Sequence, residues 1–106
     1  MERLRFELEC GGGEAAPANP PVVVGVVASG NLEVLVEGGA PPGRCQVTVA
    51  TSVRGFGDTW RAVVEDFAAR LRPSGLSLSV NDAGATPAVV SLRLDQAVEE
   101  FRRGGA

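Results

Sequence analysis

Three groups of side chains in this chain could do chemistry: the serine of Val27-Ala28-Ser29-Gly30-Asn31, the thiols of Cys10 and Cys45, and the acidic pairs Glu65-Asp66 and Glu99-Glu100. A serine or cysteine nucleophile needs a neighbouring base, most often histidine or lysine. The chain has no histidine, and its ten basic residues are all arginine, which stays protonated. That excludes a Ser-His or Cys-His relay, a lysine-activated serine and a Schiff base. The members of each acidic pair are adjacent in sequence, so on a helix their side chains diverge and share neither a proton nor a metal. Their partners are expected one turn on, Arg70 for Asp66 and Arg103 for Glu99, as a solvated helix face.

The two cysteines have no histidine or further cysteine to complete a metal set. A disulfide between them is open, but a cytosolic chain normally keeps both thiols reduced. Cys45 alternates in phase with Val47 and Val49, as a small core residue would. With no activating neighbour, both thiols are expected to be inert. Gly11-Gly12-Gly13 and Gly38-Gly39 precede no Lys-Ser/Thr and open no helix, so they read as loop glycines, not a phosphate cradle. Asn81 to Pro87 joins a strand to a helix start, where free N–H groups could meet an anion. Turn chemistry accounts for it more simply: Asp82 caps, Gly84 takes a positive φ, and Thr86 caps the helix.

Ser29 remains. Val22 to Gly39 turns over at Ser29-Gly30 and reads as two strands joined by a very short loop, with Gly30 supplying the positive φ. A serine there is ordinary turn chemistry. It is also exposed, mounted on a rigid hairpin and without a base, which suits a residue that another protein modifies. Its oxygen in a phosphodiester is a good mount for a long flexible arm.

The elements that must position it follow from periodicity. Leu4, Phe6 and Leu8 alternate with charged residues, as a half-buried strand does. Cys10 to Pro21, rich in Gly and Pro, reads as a flexible connection over residues 10–21. Leu32, Val34 and Val36 face inward, then Cys45, Val47 and Val49, then Leu76, Leu78 and Val80. Val22 to Ala28 is apolar on both faces and is therefore expected near the middle of the sheet. Val24 and Val34 are expected to be buried, with Glu33 and Glu37 exposed on the face away from the helices. Trp60, Val63, Val64, Phe67 and Leu71 share one face of a helix over 58–72, with Asp58 or Thr59 as N-cap and Pro73 as the stop. Val90, Leu94, Ala97, Val98 and Phe101 share one face of a second helix over 86–103, opened by Thr86-Pro87. Arg70/Arg72 and Arg102/Arg103 suit the negative ends of the helix dipoles. The expected fold is a two-layer α+β domain: a mostly antiparallel sheet of four to five strands with two amphipathic helices on one face.

At 106 residues, the chain suggests one domain with one modest core, residues 1–106. The net charge of −3, five aromatic residues and scattered arginines argue against a nucleic-acid surface and give an anionic membrane little to hold. An acidic balance fits partners with basic patches. No apolar run approaches membrane-helix length, and Met1 to Cys10 does not match a secretory signal. A cytoplasmic location is expected.

VASGNLEVLVE (27–37), TSVRGFGDTWRAVVEDF (51–67) and NDAGATPAVVSLRLDQAVEE (81–100) together resemble the acyl carrier (delta) subunits of malonate decarboxylase. The acyl carrier (gamma) subunit of citrate lyase looks like a more distant relative. The resemblance covers nearly the whole chain beyond the Gly/Pro connection. It implies a non-catalytic carrier with a covalent 2'-(5''-phosphoribosyl)-3'-dephospho-CoA group on Ser29, where Gly30 lets the modifying enzyme approach. No metal site is expected from the residues. The DSL motif of helical, phosphopantetheine-bearing carriers is absent. The family often flanks its serine-glycine pair with glycine and aspartate; here Ala28 and Asn31 stand there, so one acidic charge is missing from the tip. The resemblance further implies a cycle. Acetyl on the arm is exchanged for malonyl by an acyltransferase subunit. The malonyl-thioester is then decarboxylated at a carboxylase-like subunit that stabilises the enolate. A prosthetic-group transferase would be a third partner. The rival readings are a non-enzymatic small interaction module with an unmodified hairpin, or the related citrate lyase carrier subunit.

Overall fold

The computed structural model describes residues 1–104; Gly105 and Ala106, the end of the expected single domain, lie outside them. The elements run β1 (Glu2–Glu9), β2 (Val22–Gly25), β3 (Leu32–Gly38), β4 (Arg44–Thr51), α1 (Gly57–Leu71), β5 (Leu76–Asp82) and α2 (Pro87–Arg102). The five strands form one sheet in the order β1-β4-β5-β3-β2. The alternating residues decide which face is buried. Leu32, Val34, Val36, Cys45, Val47, Val49, Leu76, Leu78 and Val80 all lie in one core with the apolar faces of both helices. Trp60, Val64 and Phe67 of α1 are buried there, and so are Val90, Leu94, Ala97, Val98 and Phe101 of α2. The fold is the expected α+β sheet with two helices.

All strand pairs are antiparallel except β4 and β5, which run parallel from Gln46↔Ser77 to Thr51↔Asp82. α1 is therefore the crossover of a single βαβ unit, because neighbouring parallel strands need a connection long enough to return the chain. Pairing at the sheet centre brings the ends of β4 and β5 together, which sets up the site described below.

Several expectations are corrected. Val22 to Ala28 is not a central strand. Only Val22–Gly25 pairs, and it does so at the sheet edge against β3. Val23, Val26 and Val27 are more than half exposed, so apolar character on both faces here marks an exposed edge. The strand stops at Gly25 because its φ is +88°, and a Cβ there would lie 2.3 Å from the Leu32 carbonyl oxygen. The hairpin loop is therefore longer than expected, running from Val26 to Asn31. Val34 is fully buried, but Val24 is half-buried because it sits on that edge. Glu33 and Glu37 fall out of phase with the core residues, as expected, but are half-buried.

At α1 the N-cap is Phe56, with no side-chain cap; neither Asp58 nor Thr59 serves. Pro73 follows the helix as expected, after Arg72 at φ 47°. Asp66 does pair with Arg70 at 2.8 Å, and Arg70 also reaches Asp95 on α2 at 2.7 Å, linking the helices. Arg103 pairs with Glu100, not with Glu99. Arg102 donates to the carbonyls of Leu71 at 2.7 Å and Arg72 at 3.1 Å, so α2 supplies the cation at the C-terminal end of α1. The Gly/Pro connection makes its own contacts. Asn19 donates to the Phe101 carbonyl at 2.8 Å, and the Ser74 hydroxyl bonds the Glu14 carbonyl and accepts from the Gly43 N–H.

Candidate functional site: a braced hairpin tip beside an apolar cleft

The tip is a four-residue turn. The Asn31 N–H donates to the Ala28 carbonyl at 2.8 Å, with Ser29 and Gly30 at the two central positions. Gly30 has φ +73°, which a type II turn requires at its third residue. Ser29 is exposed, and its side chain makes no hydrogen bond among the described residues. A Cβ added at Gly30 would meet nothing within 4 Å, so the tip is open on the side to which a Gly30 side chain would project.

The turn does not stand alone. The Gly30 N–H donates to the Ala83 carbonyl at 2.9 Å, and the Ala83 N–H returns to the Asn31 carbonyl at 2.9 Å. The Asn31 side-chain oxygen accepts from Leu32 N–H at 2.8 Å, so the residue that lacks the acidic charge still organises the backbone. Asn81 donates to Glu33 at 3.0 Å. The sheet thus sets the segment from Asn81 to Gly84 directly against the tip, because β5 pairs with β3 up to Asp82↔Leu32.

That segment is built around Asp82. Its carboxylate is buried and accepts from the Thr51 hydroxyl at 2.8 Å, Gly84 N–H at 3.1 Å and Ala85 N–H at 3.0 Å. Gly84 has φ +92°, and the Thr86 hydroxyl accepts from Val89 N–H at 3.3 Å as the N-cap of α2, with Pro87 in its first turn. The turn reading of Asn81–Pro87 holds at each of these residues. The Ser52 N–H donates to the Asp82 carbonyl at 3.1 Å, which ties in the loop after β4.

Between that loop, the start of α1 and the start of α2 lies a cleft of about 470 Å³ that the sequence did not reveal. Its walls include Val53, Phe56, Trp60, Val63 and Val90, with Asp82 and Thr51 at one side. The residues come from separate segments, and no spacing in the sequence announces them. The only hint is Phe56, a large apolar residue in a Gly-flanked loop.

Cys10 and Cys45 are both buried free thiols, and burial raises both pKa values. Both lie in the core, Cys45 on β4 opposite Leu8 and Cys10 just after β1, and neither lines the cleft. Among the described residues no acidic, cysteine or histidine cluster could hold a metal ion. No helix is long and apolar enough to cross a membrane.

The family described as "Malonate decarboxylase delta subunit (MdcD)" matches residues 19–101. The chain belongs to this family. Similar relatives include a malonate decarboxylase acyl carrier protein of Stenotrophomonas maltophilia, 50% identical over 99% of this chain and 98% of the relative. Another, from Burkholderia cepacia, is 57% identical over 94% of this chain and 90% of its own length. Among solved structures, a chain of a Pseudomonas malonate decarboxylase hetero-tetramer in complex with malonate superposes with a TM-score of 0.82 at 40% identity, covering 95% of this chain and 99% of that one. In this delta-subunit family member, the Ser29 hairpin lies at the end of the sheet where the loops after β4 and β5 also lie.

Proposed function

We propose that this chain is the acyl carrier subunit of a cytoplasmic malonate decarboxylase and that Ser29 is its attachment residue. The observation that carries the reading is the tip itself: an exposed, unbonded Ser29 side chain beside an unobstructed Gly30, on a turn braced by paired hydrogen bonds to the β5–α2 connection. A phosphoribosyl-dephospho-CoA group fits there, because a phosphodiester needs only the serine oxygen and room, and both are present. When bound, the group supplies a terminal thiol that carries acetyl and malonyl as thioesters.

The chain's own residues do the rest by position. Ser29 contributes its oxygen as the mount. Gly30 keeps the backbone beside it bare, so a modifying transferase can close on the hydroxyl. The Gly30–Ala83–Asn31 bonds hold the mount at a fixed place on the rigid sheet, so an attached arm samples a defined volume and reaches each partner at high effective concentration. No residue at the tip is a base, so malonate chemistry falls to partners, an acyltransferase and a carboxylase-like subunit. Replacing the native chain with Ser29→Ala tests this in its host. The expected result is a normally folded protein that still enters the complex, while malonate-dependent acetate formation stops. Retained activity would remove Ser29 from the reading.

A further inference from the structure

From the apolar cleft beside the tip, and resting on the reading of Ser29 above, we infer that the cleft is a resting site for the acetyl-bearing end of the arm and that it rejects the malonyl form. The cleft and the mount are parts of one backbone assembly. Gly84 lines the cleft, and its neighbour Ala83 accepts the hydrogen bond from Gly30, which follows Ser29. A flexible arm fixed at Ser29 therefore keeps its free end at high local concentration around the cleft mouth. The volume of about 470 Å³ lies within the range of small-ligand sites. Val53 and Phe56, 38% and 52% exposed, give the mouth apolar surface that the methyl of an acetyl thioester or the methyl groups of a pantetheine chain would cover.

Charge provides the discrimination. Asp82 sets a buried carboxylate in the wall, so a malonyl carboxylate would enter an apolar space next to a like charge. The start of α2 compensates only in part, because most of its donors are taken. Pro87 has no N–H, Val89 N–H is taken by the Thr86 hydroxyl and Val90 N–H by the Thr86 carbonyl, while Asp82 holds Gly84 and Ala85. Of the N–H groups from Gly84 to Val90, only those of Thr86 and Ala88 remain to greet an anion. The acetyl arm rests; the malonyl arm stays out, available to the decarboxylating partner.

The test compares apo, acetyl-loaded and malonyl-loaded protein, each verified by intact mass and fragment mapping of Ser29, by the methyl NMR signals of Val53, Val63 and Val90. In the acetyl form these signals shift from their apo positions, and in the malonyl form they stay at them. Val53→Asp, a change at an exposed loop residue, abolishes the acetyl-induced shift while the Leu94 and Val98 core signals stay in place. Acetyl-loaded protein of confirmed mass with unshifted cleft signals overturns the resting site and leaves Ser29 standing. Equal shifts in both loaded forms overturn the discrimination, and shifts that need an added partner protein overturn the assigned occupant. Failure to find the arm on Ser29 by mass overturns both this inference and the reading it rests on.

Discussion

At the scale of single residues, the tip separates side chains that hold structure from one that does not. Asp82 is buried with three donors on its carboxylate. Asp82→Ala strands the Gly84 and Ala85 N–H groups and the Thr51 hydroxyl, and is expected to cost about 3 kcal/mol in denaturant unfolding. Ser29→Ala removes an exposed group without a partner and should change stability by no more than about 0.5 kcal/mol. Asn31 falls between these two, since its side-chain oxygen accepts the Leu32 N–H. Asn31→Asp keeps that acceptor and restores one negative charge. If partners present basic patches to the tip, acetyl–malonyl exchange should speed up at low ionic strength and the gain should vanish as salt rises. A rate unchanged at every ionic strength would place docking on another face.

At the scale of elements, Gly25 is where the hairpin turns away from the sheet. Gly25→Ala combines a positive φ with a contact into the Leu32 carbonyl, and is expected to lower stability by more than about 1 kcal/mol in chemical denaturation. A neutral result would mean that β2 does not bend there. This strand also marks the limit of what the sequence discloses. Alternation identified β1, β3, β4 and β5 and their inward residues, since half-buried strands carry their register in every second side chain. Helical spacing found both helices, and Thr86-Pro87 fixed the start of α2. Apolar residues on both faces of Val22–Ala28 carried no such information, because an exposed edge and a buried centre look alike in a run of valines. The α1 N-cap was misread for a related reason: Asp58 and Thr59 are good capping types, but backbone geometry places the helix start at Phe56. The tip serine was legible; the cleft was not, because it is assembled from two stretches distant in sequence, 51–63 and 82–90.

At the scale of the whole molecule, composition gives the protein an unusual titration. With no histidine, lysine or tyrosine, the two thiols are the side chains that change charge between the carboxylates and the arginines. Burial raises both thiols above the ordinary value of 9.0, Cys45 the more strongly. A raised folded pKa means that the contribution is complete below the unfolded value and is lost as the pH climbs from there towards the folded one. Stability should therefore be level from about pH 6 to about pH 8, then fall above pH 9 by up to about 1.4 kcal/mol per pH unit per thiol. The Cys10→Ala/Cys45→Ala variant, less stable overall, should lose that alkaline slope. An undiminished slope in the variant would show that the thiols are not its source.

The central claim is that Ser29 carries the arm, and peptide mapping of the chain purified with its complex from its native host tests it most directly. The peptide spanning Ser29 should be heavier than its sequence by one phosphoribosyl-dephospho-CoA group, with fragment ions placing the added mass on the Ser29 oxygen. An unmodified Ser29 peptide from active complex, or the same mass on another residue, would contradict it.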